Sequence, residues 1–167
     1  MGSNRPVLFL DVDGVLHPFH AHKSFSHVTT FHKTCMENLQ RIISETDAEI
    51  VLSSSWRNFV SMRNRLQANL CEYGLTFTRW VEPDSVAVDQ APSVSGQKMS
   101  KILSFVHAHY PRDWVVLDDE DLVALSGIDD ASVMVQLFGS RFVQTDPSFG
   151  LTPIDAEKVI NLLSSDE

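Results

Sequence analysis

The sequence predicts an α/β fold, a three-layer α/β/α sandwich on a mainly parallel sheet. Three observations carry this. Short unbroken apolar runs, at Val7–Leu10, Ile50–Leu52 and Trp114–Leu117, have the character of strands covered on both faces. Amphipathic segments of helical period lie between them. The alternation continues through most of the 167 residues, which is the pattern of βαβ units. Right-handed crossovers then place helices on both sides of the sheet.

The elements follow in order. Residues 7–11 form the first strand, and residues 12–31 a flap rich in His and Phe. Residues 32–45, "HKTCMENLQRIISE", set Cys35, Leu39, Ile42 and Ile43 at helical spacing. "AEIVLS" (48–53) is the second strand. Residues 57–72 form a helix with Phe59, Val60, Leu66 and Leu70 facing inward. "LTFTRW" (75–80) is a third strand. Residues 81–97, which include two prolines and several serines, are a long loop before the helix that bears Lys98. That helix covers 97–109 and sets Ile102, Leu103 and Val106 on one face. "WVVLDD" (114–119) is a strand, 120–126 a short helix, and further strands fall near 133–137 and 141–145. In the last helix Thr152 is the cap, Pro153 suits the first position, and Asp155 completes a capping-box pattern. Residues 1–167 read as one domain.

Hydrophobic residues are 43% and charged residues 21%, an ordinary globular balance. No apolar run approaches the ~20 residues that span a bilayer, and no signal-peptide pattern opens the chain. Cys35 and Cys71 read as core positions of helices rather than a disulfide framework. An intracellular, cytoplasmic setting is the expectation. The net charge of −9 argues against a broad nucleic-acid-binding surface, which needs a positive field.

The chemistry lies where strands end. The first strand runs into Asp11-Val12-Asp13-Gly14, the second into Ser53-Ser54-Ser55-Trp56-Arg57, and the "WVVL" strand into Asp118-Asp119-Glu120-Asp121. Ligands of open α/β sheets bind beyond these carboxyl ends, so the segments converge on one crevice. Clustered carboxylates repel one another and need a cation. An all-oxygen set suits Mg²⁺, which commonly shares its sphere with a phosphate. Ser54, Ser55, backbone N–H groups of the next helix and Lys98 suit phosphate oxygens. One carboxylate is then free to attack phosphorus and another to move a proton.

Together these motifs resemble the haloacid dehalogenase superfamily of phosphohydrolases. "FLDVDGVL" matches its first motif, "IVLSSSW" the second, Lys98 the third and "VVLDDED" the fourth. The tail "FVQTDPSFGLT" also resembles small members grouped with RNA-repair-associated phosphatase domains. The resemblance implies a Rossmann-like sheet and a Mg²⁺-dependent phosphomonoester hydrolase. Asp11 would be the nucleophile, forming an aspartyl-phosphate. Asp13 would protonate the leaving oxygen and then activate water. Asp11, the Asp13 backbone carbonyl and Asp118 would hold Mg²⁺, with Asp119 ligating through water or orienting the others. Lys98 and a serine would bind the phosphoryl group; Ser53 and Ser54 both remain candidates, and Ser54 is preferred because Ser53 reads as strand. Relatives often insert a cap domain after the first motif or between the second and third. Here each gap holds about one helix, so no large cap is expected, and an open crevice would admit a small phosphomonoester or a macromolecular phosphate, such as a nucleic-acid end or a phosphoprotein.

Rival readings carry less. A phosphotransferase would use the same aspartyl-phosphate. A non-catalytic module has no chemical need for Asp11, Asp13, Lys98 and Asp118 together. A receiver domain carries its phosphorylated Asp on a later strand. His17, His20, His22, His27 and His32 are too loosely spaced for a transition-metal site, and Phe19, Phe25 and Phe31 are expected to pack on the body. Trp56 is expected to pack. Arg63 and Arg65 read as a solvated helix face; Arg57, one turn from the phosphate, is the candidate for a second anionic group of the substrate.

Overall fold

The computed structural model describes residues 5–18, 31–83, 94–126 and 132–164. Five strands form one sheet: β1 (Val7–Leu10), β2 (Glu49–Leu52), β3 (Phe77–Trp80), β4 (Trp114–Asp118) and β5 (Phe142–Gln144). The order is β3-β2-β1-β4-β5, and all four neighbouring pairs are parallel. The chain moves outward from β1 to β3, then returns to the other side of β1. That reversal is the switch point at which a crevice opens beyond the strand ends.

Among the described residues six α-helices cover the sheet: α1 (Lys33–Thr46), α2 (Val60–Cys71), α3 (Val94–His109), α4 (Leu122–Leu125), α5 (Val133–Ser140) and α6 (Pro153–Leu163). Successive strand residues point to opposite faces, and this splits the core in two. Leu8, Leu10, Ile50, Leu52, Val115 and Leu117 pack with residues of α1, α2 and α6. Val7, Phe9, Val51 and Val116 pack with residues of α3, α4 and α5. Phe9, at the centre, meets Phe105 and Trp114 edge-on at 5.4 and 6.2 Å. The α6 cap forms as the sequence predicts: Thr152 accepts from the Asp155 N–H, and Asp155 accepts from the Thr152 N–H. Among the described residues no cap domain stands over the strand ends, and no helix is long and apolar enough to cross a membrane.

Three expectations need correction. Residues 133–137 are not a strand but the start of α5. Val135 and Phe138, three apart, face the core, while Val133, Met134 and Leu137 are exposed. An apolar run this short does not reveal its period. The helix expected over 57–72 is interrupted: Ser55–Asn58 form a 3-10 turn, and α2 starts afresh at Val60. Phe59 and Val60 therefore face outward, while Leu66 and Leu70 are buried as expected. Cys35 is a core residue, but Cys71 is exposed. Residues 19–30 of the flap and 84–93 of the long loop lie outside the described residues, and with them His20, His22, His27, Phe19 and Phe25.

Candidate active site

The backbone ladder continues one residue past the central strands. Ser53 N–H donates to the Leu10 carbonyl and Asp11 N–H to the Leu117 carbonyl, both at 3.0 Å. Pleating then decides where the side chains go. Asp11 follows Phe9, Ser53 follows Val51 and Asp118 follows Val116 by two residues, so all three belong to the α3 side of the sheet. Lys98, on α3, meets them there. Its Nζ lies 3.0 Å from Asp11 Oδ1 and forms an ion pair with Asp118 Oδ2. Carboxylate oxygens of Asp11, Asp118 and Asp119 all fall within 4.8 Å of one another.

The turn after β1 brings Asp13 to the same place. Gly14 has φ 73°, and a Cβ there would sit 2.4 Å from Asp119 Cγ. Both the positive φ and the close approach require glycine. Thr145, at the end of β5, donates its hydroxyl to the Gly14 carbonyl at 2.9 Å and anchors the turn. Trp56 Nε1 donates to Asp13 Oδ2 at 2.9 Å. Trp56 does pack, on Phe31 at 5.5 Å between ring centroids, but its polar edge also orients Asp13. Neither Thr145 nor this second role of Trp56 emerges from the sequence reading. The one available signal is position: Thr145 directly follows β5, and Trp56 lies in the turn that follows β2.

The serines divide their work. Ser54 Oγ accepts from the Trp56 N–H at 3.3 Å and caps the 3-10 turn. Ser55 is exposed at the start of that turn. Ser53 Oγ is buried with no hydrogen-bond partner among the described residues, on the face that carries Asp11 and Asp118. A buried hydroxyl left without a partner is rare and calls for a ligand or water. Arg57 is buried too, and its guanidinium donates to the carbonyls of Ser53 and Ser54 at 2.8 Å and of Glu82 at 3.2 Å. The role this geometry gives Arg57 is to brace the strand-end loops. Arg63 and Arg65 are not simply solvated: their guanidinium carbons lie 4.5 and 5.7 Å over the rings of Trp80 and Trp56.

Electrostatics reflect the crowding. Burial raises the Asp118 carboxyl well above the usual range, and the charge of Asp11 adds to this. The same two causes, in the same order, push Asp119 up to about 6. Asp13 is raised by burial, with the Trp56 N–H pulling it partly back. Burial would lower the Lys98 ammonium, but Asp11 and Asp118 outweigh it and hold the group firmly charged. Among the described residues three carboxylates share one ammonium, so this set is short of positive charge. An oxygen-rich group of this kind is able to hold a metal ion.

A parallel sheet whose first strand ends in Asp-x-Asp-Gly, faced by a lysine and a second acidic strand end, defines the class: a small HAD-type α/β domain. Over residues 7–156 the chain matches the family model described as "HAD domain in Swiss Army Knife RNA repair proteins". The chain belongs to that family, whose superfamily is one of phosphatase-type enzymes. No curated protein and no solved structure shows a significant match to the chain.

Proposed function

We propose that this domain is a Mg²⁺-dependent phosphomonoesterase that works through an aspartyl-phosphate. The observation that carries the reading is the junction of Asp11, Asp118 and Asp119 around Lys98. Asp11, Asp118 and the Asp13 backbone carbonyl would hold the Mg²⁺, with Asp119 beside them; the deficit of positive charge supports this fit. When bound, the ion would offset the negative charge of the phosphoryl oxygens and of the carboxylates around them.

The chain's own groups supply the rest. Lys98 holds one Asp11 oxygen, which fixes the nucleophile's direction. Asp11 attacks phosphorus as the bond to the leaving oxygen breaks. Asp13 delivers a proton to that oxygen; its raised pKa keeps a protonated form available. Because Trp56 occupies Oδ2, the mobile proton belongs on Oδ1. Asp13 then takes a proton from water, which attacks the phosphoryl group, releases phosphate and restores Asp11. Lys98 and the unpartnered Ser53 hydroxyl are suited to the equatorial oxygens, where such reactions concentrate charge. The orphaned Oγ favours Ser53 over Ser54 for this role. The family's association with RNA repair proteins favours a nucleic-acid end over a phosphoprotein as substrate.

Turnover of a generic aryl phosphate with Mg²⁺ tests the reading. Asp11→Asn should abolish it with an unchanged circular dichroism spectrum; residual wild-type turnover would remove Asp11 as nucleophile. Ser53→Ala should cost roughly 100-fold in kcat, the scale of one lost transition-state donor. Ser54→Ala should act mainly on stability, through the lost cap.

A further inference from the structure

The chain carries a net charge of −9, yet residues 53–81 hold four arginines and a single acid, Glu72. Arg57 is buried and Arg79 pairs with Glu49, which leaves Arg63 and Arg65 as the arginines nearer the surface. This segment also leaves large apolar side chains in water: Phe59 is 57% exposed, Val60 62% and Trp80 39%. Phe59 is the extended N-cap of α2, and its carbonyl accepts from the backbone N–H of Arg63 at 3.0 Å. The Arg63 guanidinium lies 4.5 Å over the Trp80 ring and donates to the Arg57 carbonyl. Arg57 in turn grips the carbonyls of Ser53 and Ser54. A fixed chain of contacts thus runs from Trp80 to the strand end beside Asp11. Trp80 pairs in register with Leu52, level with the carboxyl ends of the strands. It is two strand spacings, about 10 Å, from β1.

Exposed aromatic faces beside a cation held in place are what unpaired bases require: every base offers a π-face, and the backbone needs positive charge. A peptide partner would use the apolar surface but would leave the arginine stack without purpose. We propose that Phe59, Arg63 and Trp80 form a platform on which the terminal bases of a single-stranded nucleic acid stack while its phosphorylated end enters the site. As a statement about substrate this rests on the phosphatase reading. The positive segment is local, so it is compatible with an acidic chain that lacks a broad basic surface.

Two measurements on the full chain test this. The first is fluorescence anisotropy of a labelled, unphosphorylated single-stranded oligoribonucleotide, which needs no catalysis. Affinity should fall about 5- to 100-fold in the Phe59→Ala/Trp80→Ala double variant, the range expected for lost base–aromatic stacking. Trp80→Phe, which keeps a ring, should retain most of it. The second is the ratio of kcat/KM for the phosphorylated oligonucleotide to that for an aryl phosphate, which should fall by a similar factor through KM. Equal binding by wild type and the double variant would overturn the platform, as would a phosphopeptide showing the same dependence on Phe59 and Trp80. Absent turnover with platform-dependent binding intact would sink the phosphatase reading and uphold the platform.

Discussion

Lys98 sets the charge balance of the site. Its side chain, 11% exposed, lies between Asp11 and Asp118, both buried. Removing one partner of such a group leaves uncompensated charge in a place that water scarcely reaches. Lys98→Met should therefore cost about 3–5 kcal/mol, read from urea unfolding, besides losing activity. A cost below about 1 kcal/mol would show the pair to be open to solvent. The pH dependence has a definite sign. Asp119, pushed up to about 6 chiefly by burial, keeps a proton in the folded chain that it gives up near pH 4 when unfolded. This contribution to stability is present below pH 4 and is lost as the pH rises through 6. Asp118, raised for the same reasons, acts in the same direction. Mg²⁺ binds the deprotonated carboxylates and should oppose the loss. The increase in Tm on adding Mg²⁺ should thus be small at pH 5 and larger above pH 7. An increase independent of pH would exclude these carboxylates as ligands.

At the scale of elements, the sequence marks ends better than it marks type. The α6 cap was legible because Thr152, Pro153 and Asp155 act within one turn of chain. Thr152→Ala should destabilise the protein by about 0.5–2 kcal/mol, measured as a shift in denaturation midpoint at constant m-value. A neutral substitution would mean that α6 is held by packing alone. The α5 segment reads as a strand for the opposite reason. Val133, Met134 and Leu137 are as apolar as the residues that face the core, so no polar face betrays the helix. The break before α2 is similar. Nothing local in "SWRNF" announces that Phe59 turns outward; the 3-10 turn is closed by the Ser54 cap and by Arg57 reaching back to the strand-end carbonyls.

For the molecule as a whole, β1 is shared by both core layers. Its even residues pack with α1, α2 and α6, and its odd residues with α3, α4 and α5. Neither layer can lose its strands without exposing the other. Unfolding should accordingly be one cooperative transition. The two layers carry their own reporters, Trp56 in one and Trp114 in the other. Single-tryptophan variants followed by fluorescence in urea should give coincident midpoints; separated midpoints would show layers that melt independently.

The sequence alone determined the α/β class, the five strands (with a sixth expected where α5 lies), and the positions of Asp11, Asp13 and Asp118 at strand ends and of Lys98 on the helix after the long loop. These follow from short-range pattern: apolar runs that end in charge, and helical spacing between them. Tertiary structure decided which hydroxyl shares a face with the nucleophile, that Trp56 holds Asp13, and that Arg57 turns inward. Those outcomes depend on pleat parity between neighbouring strands and on contacts between residues 43 apart in the chain, quantities that exist only once the sheet has assembled.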